Sequence, residues 1–345
     1  MEKSLKKLFF VLFISLFFVS NSQAADLEDF YLPKVKVMNQ NMYLGADLSP
    51  LLGGDLAQIP AVIGEIINSW YPARAAALAR TIKKAGPDVV CLQEAWIFEY
   101  VPEEIKWNFK TLLLDALGDD YKEVVTNEGL LDVDLRQVFG VRIKDQDVII
   151  AKKQVKIGDT ETLTFDRQLT IDIDPPIGQQ TVFRGLSIAR LKIRGKWYTI
   201  GNTHLEAFDY LDPGVRLSQA KQVLYELSDE IEPIMLFGDI NDQPDSQAYS
   251  AYDAITDEFD DAWLGRLLGR RDPGLTFGRI NLIDDDQVFY ERIDFGFIRN
   301  HRAITLLGVT VGKSEFSKTD PIPPSGVRLW PSDHLGLFFI LILPQ

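Results

Sequence analysis

Eight residues of this sequence have types and positions that could do chemistry: Asn41, Glu94, His204, Asp239, Asn241, Asp294, Asp333 and His334. They comprise four carboxylates, two carboxamides and two histidines, and each lies at or near the end of an apolar run. The plainest case is Ile234-Met-Leu-Phe-Gly-Asp-Ile-Asn241. Four consecutive apolar residues, Ile234 to Phe237, read as a strand buried on both faces. Gly238 ends the run, and a carboxylate and a carboxamide follow two residues apart. On an extended backbone, positions i and i+2 share a side, so Asp239 and Asn241 would project together and could hold a phosphate, a metal-bound water or both. The alternative is a plain turn, since Gly, Asp and Asn dominate turns. Recurrence weighs for a site, because Val35–Met38 leads to Asn39 and Asn41, Val89–Leu92 to Glu94, and Lys196–Thr203 to His204.

Hard oxygen donors with few nitrogens suit Mg²⁺, Mn²⁺ or Ca²⁺ better than zinc. Such a cation polarises a phosphoryl oxygen, while a carboxylate or imidazole activates the attacking water. The sequence has no serine nucleophile motif. Its one cysteine, Cys91, sits within an apolar run and reads as a small buried hydrophobe. Of the three histidines, His204 and His334 lie in these stretches, while His301, between Asn300 and Arg302, reads as structural or exposed.

Several elements must position these groups. Ala61–Ile67 adds a short helix to a long Gly/Pro-containing segment from Gly45 to Trp70. Pro72 suits a first helical position, and Leu78 and Ile82 give the next helix, Ala73–Ala85, an apolar face before Gly86-Pro87 stops it. Glu104–Leu117 reads as a less regular helix. Val124-Val125, Val138–Ile143 and Val148–Ala151 read as short strands, and Val155–Ile173 and Thr181–Ile193 continue that β-rich section. Pro213 opens an amphipathic helix with Leu217, Ala220, Leu224, Leu227 and Ile231 at three- and four-residue spacing. Leu335–Leu343 reads as a terminal strand. With no linker or internal repeat, residues 25–345 read as a single domain.

The first 24 residues stand apart. Lys3, Lys6 and Lys7 precede the apolar run Leu8–Val19, and Ser22-Gln-Ala24 offers small residues for cleavage. This is the pattern of a secretory signal peptide and predicts a secreted or periplasmic protein. Its removal takes away one Glu and three Lys, moving the formal charge from −14 to −16. An acidic protein lacks the general electrostatics that supply non-specific nucleic-acid affinity. An enzyme whose cation bridges acidic protein and phosphate is still allowed. Arg266, Arg270 and Arg271, with Arg279 nearby, read as a solvated basic face.

Taken together, the motifs resemble those of the endonuclease/exonuclease/phosphatase superfamily. The matching stretches are Gln40-Asn-Met-Tyr43, Cys91-Leu-Gln-Glu-Ala-Trp96, Asn202-Thr-His-Leu-Glu-Ala207, Gly238-Asp-Ile-Asn241, Glu291-Arg-Ile-Asp-Phe295 and Ser332-Asp-His334, in that order. Arg216 and Gln219 fit the family's habit on the helix between His204 and Asp239. The resemblance implies an α+β fold, a four-layer α/β/β/α sandwich of two packed β-sheets flanked by helices. It implies Mg²⁺ (or Mn²⁺) held mainly by Glu94 with Asn41 and Asp333. Asp239 and Asn241 would orient water and phosphate, Asp294 would pair with His334, and His204 would donate to a phosphate oxygen. Asp147 stands where members often carry glycine. The implied activity is metal-dependent hydrolysis of a phosphoester, in nucleic acid or a phospholipid headgroup, with no obligate protein partner. Transient contact with a membrane surface through Leu51, Leu52, Ile59 and Trp70 is a further option, against which buried packing is the favoured reading of those residues. Two rivals stand beside it. A calcineurin-like metallophosphatase shares Gly238-Asp-Ile-Asn-Asp242, but its upstream Asp-x-His and further histidines are missing here. The other is a non-catalytic secreted protein that kept the fold.

Overall fold

The computed structural model describes residues 34–344, apart from 53, 174, 176, 232, 246, 247, 280, 284, 285, 287, 301 and 321. The expected signal peptide and His301 lie outside the described residues.

Strand Ile234–Asp239 shows why a run apolar at every position is needed. Ile234 and Leu236 pack outward with Ala220, Val223 and Leu227 and with Ala251 and Ile255. Met235 and Phe237 pack the other way, onto Val37, Cys91 and Phe339 of a second sheet. That second sheet repeats the alternation. Val89 and Cys91 face the first sheet, whereas Val90 and Leu92 face Leu78, Ile82 and Leu113 on helices. Three apolar layers thus separate four structural ones, and the fold is an α+β sandwich of two sheets between helices.

One sheet has the order Ile304–Val311, Gly336–Ile342, Lys34–Asn41, Val89–Gln93, Asp147–Lys152, Tyr121–Asn127. The other runs Asp260–Asp261, Asp294–Arg299, Ile234–Asp239, Lys196–His204, Gly185–Ile193, Lys156–Thr164. Each contains one parallel pair, Lys34–Asn41 with Val89–Gln93 and Lys196–His204 with Ile234–Asp239. Parallel pairing sends both C-terminal ends of a pair to one edge. The antiparallel neighbours Asp294–Arg299 and Gly336–Ile342 begin at that same edge. All the strand-end polar residues therefore meet.

Some local expectations need correcting. The helix expected over Glu104–Leu117 is confined to Phe109–Leu117, and Ile105–Asn108 is a strand paired with Ile97–Tyr100. Glu104 has a left-handed φ of 56° and turns the chain between those two strands. The helix after Pro213 spans Val215–Glu226 and buries Val215, Gln219, Ala220 and Val223. Ile231 lies beyond its end, where helical spacing no longer applies, and is 58% exposed. The strand expected over Val138–Ile143 spans Val141–Lys144. The Gly45–Trp70 segment carries helices Ser49–Leu52 and Ile59–Asn68, and Ile59 is buried. Arg266 is buried too, donating to the carbonyls of Trp263, Gly269 and Asp272, so it is not part of a solvated face. Among the described residues, no helix is long and apolar enough to cross a membrane.

Candidate active site

His204, Asp239 and Asp294 sit side by side on three adjacent strands, His204 in register with Asp239 and Asp239 with Asp294. Gly238 makes this possible, since a Cβ there would lie 2.1 Å from the Thr203 carbonyl oxygen. Asp239 is the last residue of its strand. Asn241 has a φ of 51°, its N–H donates to Asp239 Oδ1 at 3.0 Å, and its side chain donates to the Leu205 carbonyl at 3.0 Å. The extended-backbone argument for this pair therefore fails, because the chain turns at once. The turn and the site are the same object, and both residues line the cleft.

The sheet containing Lys34–Asn41 and Val89–Gln93 supplies the opposing groups. Asn41 Nδ2 donates to Glu94 Oε1 at 2.9 Å and to Asp239 Oδ2 at 3.1 Å, joining the sheets. Glu94 is held in a left-handed conformation, φ 56°, and its Oε2 accepts from the Leu44 N–H and from Trp96 Nε1, both at 3.1 Å. Beneath the cleft, Gln93 Nε2 donates to Asn39 Oδ1 at 2.8 Å and Asn202 Oδ1 at 2.6 Å, and Asn39 Nδ2 donates to Asp294 Oδ1 at 3.2 Å. The interface between the sheets is thus apolar through its middle and polar at this edge. Arg74, fully buried, braces the loops from below. Its guanidinium donates to the carbonyls of Met42, Tyr43, Leu44, Ser69 and Pro331. The segment after Asn41 is thereby tied to the one before Asp333.

The two histidines face each other across Asp239, and each Nε2 lies 3.7 Å from Asp239 Oδ2. Their far sides differ. His334 Nδ1 is 2.8 Å from Asp294 Oδ2, a carboxylate that can only accept, so this nitrogen carries a proton. His204 Nδ1 is 2.9 Å from Arg184 Nη1, a guanidinium that can only donate, so this nitrogen carries none and the ring proton sits on Nε2. Burial works against charge on His334, but Asp294, Asp333 and Asp239 outweigh it and hold its pKa well above the ordinary histidine value. Burial, Arg184 and His334 all push His204 well below that value.

The cleft has a volume of about 750 Å³, and Glu94, His204, Asp239, Asn241, Asp333 and His334 line it, together with Arg184, Arg216 and Arg279. Asn41 and Asp294 are buried behind them. Burial and Asp294 push Asp239 up to about 7, and burial, partly relieved by His334, pushes Asp333 up to about 7. Carboxyls raised by burial next to other carboxylates lack positive charge, and a cation would supply it. Among the described residues, Asp239, Asp294 and His334 offer ligand atoms within 4.8 Å of one another. In that group Asp294 and His334 Nδ1 are already committed to each other. Glu94 and Asp333, with Asn41, present only oxygen and amide groups, the donor set a hard cation prefers.

Sequence reasoning missed the groups behind His204. Arg184 is buried and pairs with Asp145 at 3.5 Å and Glu206 at 3.6 Å. Asp147, noted as a departure from the family pattern, lies in the same cluster. Burial and Asp145 push its carboxyl well above the ordinary range, favouring its neutral form. Asp145 is itself pushed up to about 7 by burial. The available signal was charge inside apolar surroundings: Asp145 and Asp147 open an apolar strand, and Arg184 precedes Gly185 at the start of another.

The fold and this edge of polar strand ends define a class of phosphoester-hydrolysing sandwich proteins. The chain belongs to the Endonuclease/Exonuclease/phosphatase family, whose model matches residues 41–334. It is similar in structure to an endonuclease/exonuclease/phosphatase family protein from Bacteroides thetaiotaomicron (16% identity, 91% of this chain and 100% of that one, TM-score 0.61). It is also similar to a mannosyl-6-phosphatase from the same species (16% identity, 90% and 100%, TM-score 0.58). TDP2 from Caenorhabditis elegans is a third (19% identity, 92% and 76%, TM-score 0.55). No curated protein matches the sequence. The family's hydrolytic members include phosphatases and phosphodiesterases.

Proposed function

We propose that this chain is an exported, Mg²⁺- or Mn²⁺-dependent phosphodiesterase. The observation that carries this reading is the pair of histidines with opposite proton arrangements flanking Asp239, beside the oxygen donors Glu94 and Asp333. Glu94 and Asp333, steadied by Asn41, would hold the cation. When bound, the cation supplies Lewis-acid polarisation of a phosphoryl oxygen and neutralises its developing charge.

The remaining work falls to the chain's own groups. Asp239, raised toward neutral pH, takes a proton from the attacking water as the new P–O bond forms. Asn241 fixes the Asp239 carboxylate through its backbone N–H. His204 presents a permanent Nε2–H to a non-bridging oxygen as negative charge builds there. His334, oriented by Asp294, delivers its Nε2 proton to the departing oxygen as the old P–O bond breaks. What each Nδ1 touches supports this acid-base assignment, which the sequence left open.

The test is hydrolysis of bis(p-nitrophenyl) phosphate by the purified mature chain. Activity should vanish in EDTA and return with Mg²⁺ or Mn²⁺. Glu94→Gln should lose most of it while keeping the melting temperature of the metal-free protein. Full turnover in excess EDTA would sink the mechanism. Export is checked by mass spectrometry of the mature N-terminus, expected at Ala25; an intact Met1 would contradict it.

A further inference from the structure

A second cavity, of about 80 Å³, adjoins the catalytic cleft. Of its fifteen lining residues fourteen are apolar, among them Ile63 on helix Ile59–Asn68, Val133 on strand Asp132–Leu135, Ile143 on strand Val141–Lys144, and Ile173 and Ile177 at the hairpin Leu169–Val182. Gln180 is the one polar lining residue, and its Nε2 donates to the carbonyls of Ile177 and Gln179 in its own hairpin. Leu48, Leu131 and Val182 line both the cavity and the cleft, so the two spaces adjoin at these three side chains. The junction lies beside the catalytic groups. Val182 is two residues from Arg184, and the Leu131 carbonyl accepts from the Asp145 N–H at 2.7 Å.

An apolar space of this size is a poor feature of a core, which normally closes to crystal-like density. Beside a polar cleft, a dry apolar space can instead take up the apolar part of a ligand. Its chemistry discriminates between occupants. A nucleobase or sugar placed there would leave its polar edges unpaired, a cost on the order of tenfold or more in binding for each lost hydrogen bond. A hydrocarbon chain has no such groups and gains on every methylene buried. Resting on the phosphodiesterase reading above, we infer that this cavity receives the alkyl or acyl chain of an amphiphilic phosphodiester whose phosphate lies between His204, Asp239 and His334. The substrate class is then a chain-bearing phosphodiester, and the acidic character of the chain agrees with a substrate that is not gripped as a polyanion.

The test compares the methyl and hexyl p-nitrophenyl phosphodiesters, which share one reacting centre, with Mg²⁺ present. Each methylene that enters the cavity is worth up to about fourfold in kcat/KM, so the hexyl ester should be favoured by about a hundredfold or more. Val133→Trp and Ile177→Trp fill the cavity from two walls and touch no cleft residue set. Each should pull the hexyl-to-methyl ratio down toward one with the melting temperature retained. Equal rates for the two esters, or an undiminished ratio in both variants, would overturn the assignment while leaving the phosphodiesterase reading intact. Calorimetry with octylphosphonate and methylphosphonate, which cannot be hydrolysed, decides the matter without turnover. One octylphosphonate should bind per chain with a negative heat-capacity change, and both Trp variants should weaken it at least tenfold. Octylphosphonate binding no tighter than methylphosphonate would overturn the inference. So would preferential cleavage of DNA or RNA oligonucleotides over the hexyl ester.

Discussion

His204 and His334 occupy matching places on opposite sides of Asp239, at the same 3.7 Å from its Oδ2 and both buried, yet the protein equips them for opposite work. The difference is one contact on each ring. A carboxylate behind His334 keeps a proton on Nδ1 and favours the imidazolium; a guanidinium behind His204 forbids a proton on Nδ1 and keeps the ring neutral. Two rings of one residue type thereby become an acid and a fixed hydrogen-bond donor. The residue that matters to a histidine's role can be the one facing away from the substrate.

The sharpest way to break this comparison is on the His334 side. His334→Ala should lower kcat by about 10³-fold or more, the scale of a lost acid-base group. Asp294→Asn should approach the same loss, because it removes both the orientation and the charge that raise His334. A near-normal rate in Asp294→Asn would mean that His334 does not act through this pairing.

His204→Ala comes next, with a loss of about 10²–10³-fold in kcat, the range for one donor to a developing oxyanion. A larger loss than at His334 would reverse the assignment.

Arg184→Met is expected to cost about tenfold at neutral pH and to change the shape of the pH profile. The sign follows from the environment of His204. Arg184 lowers its pKa, so removing the guanidinium raises it and frees Nδ1 to protonate. The variant should then show a rate change at a higher pH than the parent chain, still below the ordinary histidine value because burial and His334 remain. A profile identical in shape would show that Arg184 only packs. Fold retention is followed by melting temperature, since Asp145 and Glu206 lose a partner as well.

Much of the site was legible because strand-end residues announce themselves: an apolar run such as Ile234–Phe237 must be buried on both faces, so the polar group that ends it sits at a sheet edge. The sandwich followed from the motifs and their order. The groups behind the histidines were not legible. Arg184 gains its meaning from a histidine 20 residues away on the paired strand, and Arg74 from carbonyls on three separate segments. No local pattern encodes such pairings. Asp147 was visible as an oddity, but its buried neighbour Asp145 and the raised carboxyl were not. The misread Glu104–Asn108 stretch failed for a different reason. Its helix-forming Glu104 precedes a four-residue strand that exists only because Ile97–Tyr100 lies beside it to pair with.

The central claim is the opposite protonation of the two rings, and ¹⁵N NMR of the histidine-labelled, metal-free chain measures it directly. Signals are assigned with His204→Ala and His334→Ala. From pH 6 to 8, His204 should stay neutral with its proton on Nε2, and His334 should keep an Nδ1 proton and remain protonated above the ordinary histidine range. A His204 that titrates near 6.5, or that carries its proton on Nδ1, would contradict the account.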